Sequence, residues 1–184
     1  MNLAQFGLIC ALLPSSAWAG KAAHGAVRSL SSEHVHSSGA FSFRTPPGWR
    51  VETHGAGTEV VEATGDGLIV RFLFRADEAG YDSLHATCML ERLPLPSEPQ
   101  VRYEYDYIEG QVGDWRTLDS AFAVRYDRPV MGFRDWRQRN VTLVGEGRSL
   151  CAITYCPLPL WKKSPETRAV LNGILASLTL RPWP

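Results

Sequence analysis

Three short glycine-flanked turns constrain this chain more than any other feature. Gly55-Ala-Gly57, Gly65-Asp-Gly67 and Gly145-Glu-Gly147 each separate two segments of strand-like character. Strands joined by turns this short run antiparallel, because a parallel pair needs a crossover of a dozen or more residues. The strand-like segments are Ala40 to Arg44, Val51 to His54, Thr58 to Thr64, Leu68 to Arg75, Leu84 to Leu93, Ser120 to Tyr126, Gly132 to Val144 and Ser149 to Cys156. Leu68 to Phe74 and Leu150 to Tyr155 are apolar on both faces, which implies central strands covered on both sides.

Two helices are expected to do the covering. Ser97 and Gln100 form a capping box, and Val101, Tyr105, Ile108, Val112 and Trp115 follow at alternating spacings of four and three. That stripe predicts a helix over 98 to 113, weakened by Gly110 and Gly113. The second helix starts at Ser164 with Pro165 in its first turn, and Val170, Leu171, Ile174, Leu175 and Leu178 form its buried face. The expected class is therefore α+β, an antiparallel sheet of about six or more strands flanked by helices.

The N-terminus is a different kind of segment. MNLAQFGLICALLPSSAWA carries no charge, an apolar run from Phe6 to Leu13 and a small-x-small end at Ala17-Trp18-Ala19. It reads as a signal peptide for export to the periplasm or outside the cell, cut near Ala19, although its first residues lack the usual Lys or Arg. The run is too short for a membrane span. Ile9 before Cys10 argues against lipidation there. Residues 20 to 39 read as a flexible leader and 40 to 184 as a single folded domain.

In an oxidising compartment the remaining cysteines, Cys88, Cys151 and Cys156, are disulfide candidates. Cys151 and Cys156 lie on one strand at odd spacing, about 16 Å apart at roughly 3.3 Å per residue and on opposite faces. They cannot bridge each other while that strand is intact. Cys88 could pair with either, or all three could be small buried thiols.

Nineteen basic residues balance nineteen acidic ones, so the formal net charge is zero. That excludes the basic footprint of a nucleic-acid binder. There is no G-x-S-x-G, H-E-x-x-H, Gly-Lys-Ser phosphate loop or G-x-G-x-x-G. Glu33, His34 and His36 are weak candidates for Zn²⁺ or Cu²⁺ capture, but lack the partners that orient a true site. Asp77, Glu78 and Asp82 read as a solvated acidic turn, and His85 and Glu91 as strand positions. No catalytic residue, metal or other cofactor is expected.

The charge pattern is more informative. Glu98, Glu104, Asp106, Glu109 and Asp114 crowd the first expected helix. Arg116, Arg125, Arg128, Arg134, Arg137, Arg139 and Arg148 follow on the strands. Arg125, Arg134, Trp136, Arg137 and Arg139, with Tyr103 and Tyr107, have the composition of an interface hot spot. The competing reading pairs these arginines internally with the acidic segment, or leaves them as a solvated face.

FSFRTPPGW at 41 to 49, VTLVGEGRSLCAITYC at 141 to 156, Trp161 and the closing VLNGILASLTL together resemble the PsbP-like and DcrB-like family. The resemblance spans roughly residues 40 to 181. It implies a sheet sandwiched between helices in an exported bacterial protein, with Trp49 folding back over one end of the core. It also implies a non-catalytic protein that holds a partner: an envelope factor, a chaperone or an immunity protein against a toxin. The chain departs from that pattern in lacking a lipidation motif and in its tyrosine-rich first helix. The other function classes are a hydrolytic or metal-dependent envelope enzyme and a carrier of an apolar ligand. A protein partner is expected; the oligomeric state is left open.

Overall fold

The computed structural model describes residues 29–54, 59–75, 88, 100–112, 114–145 and 147–181. The expected signal peptide, the Asp77–Asp82 turn, His85 and Glu91 lie outside them. Among the described residues ten strands run in chain order: β1 (Ser32–Val35), β2 (Phe41–Thr45), β3 (Arg50–His54), β4 (Glu59–Gly65), β5 (Leu68–Arg75), β6 (Gln100–Val112), β7 (Trp115–Val130), β8 (Phe133–Gly145), β9 (Arg148–Pro157) and β10 (Thr179–Leu180). Between β9 and β10 lie helices α1 (Leu158–Lys163) and α2 (Pro165–Ala176). Among the described residues no helix is long and apolar enough to cross a membrane. Two compact units result, one of residues up to Trp49 together with Ser164 onward, the other of Arg50–Lys163.

In the first unit, β1, β2 and β10 form an antiparallel sheet with β2 in the middle. Gly48, at φ 83°, ends the proline corner after β2, and the Trp49 amide reaches back to Pro46 O at 3.5 Å. Trp49 itself is buried. Helix α2 packs against β2 and buries Val170, Leu171, Ile174 and Leu175. Ser164 caps it, accepting the Thr167 amide at 3.1 Å, with Pro165 in the first turn where its missing N–H costs nothing.

The flexible leader expected over 20 to 39 is corrected at its end, where Ser32–Val35 form β1. The aromatic rungs of β2 explain why. The His34 ring lies 5.2 Å from Phe43, and the His36 ring stacks on Phe41 at 4.6 Å. A segment that read as polar and aperiodic thus places its imidazoles on a phenylalanine ladder.

The second unit is a seven-stranded, wholly antiparallel sheet in the order β3-β4-β5-β9-β8-β7-β6. β5 and β9 are central and buried on both faces, as their apolar runs require. The β4–β5 turn is Asp66–Gly67, at φ 54° and 75°, a pair suited to the left-handed region. On one face Ile69, Leu73, Phe122, Val124, Tyr126, Trp136, Cys151, Ile153 and Tyr155 gather into a core cluster with Cys88. Cys88 is bonded to Cys151, which resolves the cysteine alternatives. Cys156 stays outside the disulfide, buried on the opposite face.

Two sequence expectations fail here. The strand over Leu84 to Leu93 is contradicted at its one described residue, Cys88, whose backbone is helical. The helix expected over 98 to 113 is instead, over Gln100–Val112, the edge strand β6. β6 pairs with β7 through two register shifts, between Tyr103 and Tyr105 and between Tyr105 and Ile108. Each shift sets one extra residue of β6 against β7. The apolar positions are not one stripe: Val101 pairs with Val124 and Ile108 with Asp119, on opposite faces of β7, and Trp115 belongs to β7 itself.

Candidate functional site

Strand β8 carries most of the candidate residues and sends them alternately to the two faces of the sheet. Trp136, Gln138, Asn140 and Thr142 share the face of the Cys88–Cys151 cluster, while Arg137 and Arg139 lie on the other. Trp136 is fully buried; its indole N–H donates to Phe133 O at 3.1 Å, and its ring meets Phe133 edge-on. It belongs to the core and is not displayed to a partner.

Arg137 is only 3% exposed. Its guanidinium lies over the Trp161 ring of α1, 4.0 Å from the ring centre, and its Nε donates to Glu104 Oε2 at 2.9 Å. Glu104 is the residue between Tyr103 and Tyr105, at the first irregularity of β6. Ala123 stands between β6 and Arg137 in the sheet register, opposite Arg102 on one side and Arg137 on the other. A methyl group there leaves space for the carboxylate and guanidinium to meet above β7.

Arg139 grips Asp119 with both arms of its fork, Nε on Oδ1 at 3.0 Å and Nη2 on Oδ2 at 2.6 Å. Both partners are largely buried, and the bidentate geometry makes this the strong form of the interaction. The two arginines and two carboxylates cancel in charge. Chemically the group is a clamp joining β6, β7, β8 and α1. It offers no general base beside a nucleophile.

The opposite face holds a buried polar row that the sequence reading missed. Gln138 donates from Nε2 to Asn140 Oδ1 at 2.9 Å, and Asn140 donates from Nδ2 to Cys88 O at 2.8 Å. Thr142 Oγ1 lies 3.6 Å from Cys151 Sγ. This row tethers the disulfide-bearing residue to the sheet. Alternating polar residues on a strand ordinarily signal a wet face, so the pattern gave no sign of their burial. Nearby, Arg71 bonds Glu62 at 2.5 Å and lies 5.4 Å from the centre of the Tyr155 ring.

The remaining candidates divide. Arg125 is exposed and ion-paired with Asp135 at 3.6 Å, and Arg134 is exposed. Tyr103 and Tyr107 lie on β6, but their side chains fall outside the description. The five candidates whose side chains are described, Arg125, Arg134, Trp136, Arg137 and Arg139, do not share one surface, because alternation and burial separate them.

His34 and His36 are likewise engaged. His34 Nε2 is 2.9 Å from Thr45 Oγ1, and His36 Nδ1 is 2.7 Å from Ser38 Oγ. Burial holds the His34 imidazole below its ordinary pKa. Glu33 faces Arg181 at 3.5 Å and Arg44 at 3.9 Å. Among the described residues no group of three His, Cys, Asp or Glu is placed to hold a metal.

No protein-family model matches the chain, and no curated protein does. Solved structures do. A crystal structure from Bacteroides thetaiotaomicron superposes with a TM-score of 0.52 at 13% identity over 84% of this chain; the chain spans half the length of that protein. The solution structure of the cyanobacterial PsbP protein CyanoP from Synechocystis superposes with a TM-score of 0.56 at 8% identity, covering 86% of this chain and 98% of the other. At such identities the likeness is one of architecture: the chain has a PsbP-like fold, built mostly of antiparallel sheet.

Proposed function

We propose that this protein is an exported, non-catalytic accessory protein that works by holding a protein partner. The observation that carries the reading is the match to the PsbP protein, which covers 86% of this chain and 98% of the other. The resemblance of the sequence to PsbP-like and DcrB-like proteins points the same way. The polar chemistry of β8 is in keeping with it: Arg137 and Arg139 are engaged by Glu104 and Asp119, and the buried amides bond each other and Cys88. Export follows from residues 1 to 19 and suits the disulfide, a bond that persists in oxidising compartments.

The test uses the chain from residue 20 as bait in envelope extract of its own host. One protein should be retained in fixed stoichiometry and should rebind when both components are purified. Retention of nothing, together with turnover of an ester, phosphate or peptide substrate by the purified chain, would replace this reading with the enzymatic one.

A further inference from the structure

The tip of the β7–β8 hairpin goes against ordinary turn chemistry. Val130 pairs with Phe133, so Met131 and Gly132 alone make the turn, at φ 48° and 84°. The equivalent turn at Asp66–Gly67 uses an aspartate, whose short side chain tolerates that region. Methionine has no such tolerance, and Met131 is 57% exposed, so burial does not compensate for its backbone. Below the turn, residues 126–129 of β7 stand opposite Arg134 alone, a bulge that contains Pro129. Asp127, Arg128, Pro129 and Arg134 are exposed. Tyr126 is buried, and Val130 and Phe133 pack on the core cluster around Trp136, so the tip has a firm root. Arg125 is held by Asp135, whereas Arg128 and Arg134 make no ion pair among the described residues.

We propose that this tip is a docking element for an acidic segment of a partner protein, with Met131 entering an apolar notch and Arg128 and Arg134 forking onto carboxylates. The proposal rests on the accessory-protein reading above and names its surface. Arg125, Arg128 and Arg134 outnumber Asp127 and Asp135, so the tip is net positive in a chain of zero net charge. Arginine binds carboxylates through two parallel hydrogen bonds, and Arg and Met are both enriched in interface cores. A protein suits this tip better than an anionic bilayer. A uniform negative surface repels Asp127, whereas a partner can set a cation opposite it. A single methionine is also a small anchor for a membrane.

The test is to pan a displayed random-peptide library against the whole chain and titrate the enriched peptides. Peptides rich in Asp and Glu are expected, with affinity at least tenfold weaker for Arg128→Ser/Arg134→Ser and several-fold weaker for Met131→Asn. The thermal midpoint of Met131→Asn should hold or rise, since asparagine accepts the positive φ. Neutral or basic peptides, or acidic ones that bind the variants as tightly as the wild type, overturn the proposal. So do phosphatidylglycerol–phosphatidylcholine vesicles that bind in an Arg128- and Arg134-dependent way while no acidic peptide does. If the partner from envelope extract is retained equally by wild type and Arg128→Ser/Arg134→Ser, the accessory reading stands and this docking site falls. If the wild type retains nothing and turns over an ester, phosphate or peptide substrate, both fall.

Discussion

At the scale of single residues, burial separates arginines that look alike in sequence. Arg137 and Arg134 are three residues apart, yet one lies against Trp161 and Glu104 and the other is in water. Removing a buried charge strands its partner, although Glu104 is a third exposed and can rehydrate in part. Arg137→Ala should therefore cost about 2–3 kcal/mol, whereas Arg134→Ala should stay within about 0.5 kcal/mol, read as denaturant midpoints at unchanged slope. His34 gives a pH signature. Its folded pKa lies below the ordinary 6.5, so below that pH the unfolded chain binds more protons and stability falls as pH drops toward the folded value. Above 6.5 the contribution is complete. Unfolding measured from pH 7.5 to 5 should show a steeper loss for the wild type than for His34→Gln. Equal slopes would mean that the imidazole is not desolvated.

At the scale of elements, the disulfide and the caps matter most. The bond between Cys88 and Cys151 closes a loop with a sequence separation of 63. Cross-linking so long a loop restricts the unfolded chain, and Cys88→Ser/Cys151→Ser should lower stability by about 2–4 kcal/mol in chemical denaturation. An unchanged midpoint would mean that the bond does not form. On α2, Ser164→Ala removes the acceptor for the Thr167 amide and should cost about 1 kcal/mol. These elements also show what the sequence made legible. Ser164 and Pro165 announced α2, and Gly65-Asp-Gly67 announced the β4–β5 hairpin, because caps and tight turns depend on residues adjacent in the chain. β6 was misread because a pattern of apolar spacing carries no record of a partner strand. Its register shifts against β7 are a property of the pair. β1 escaped notice because its burial comes from Phe41 and Phe43 on β2.

At the scale of the whole molecule, the export expectation carries its own measurement. Protein isolated from the envelope of its host should begin at Gly20 by N-terminal mass analysis; a chain beginning at Met1 would refute cleavage. The sequence by itself determined the antiparallel class, the central apolar strands β5 and β9, the closing helix and the absence of a nucleic-acid charge footprint, because each is local in pattern or is a simple sum over residues. It excluded a bridge between Cys151 and Cys156 and left Cys88 with either of them, or three buried thiols, as the alternatives. The tertiary structure chose Cys151, because pairing of β5 and β9 places Cys151 beside Leu73 on the face where Cys88 lies. It also turned the arginine strand inward. On a sheet covered on both faces, alternation no longer means one wet side and one dry side, so Arg137 and Arg139 sit with their counter-charges while Gln138 and Asn140 are buried opposite. Exposure is set by what packs above a residue, and the residue's own neighbours in the chain do not encode it.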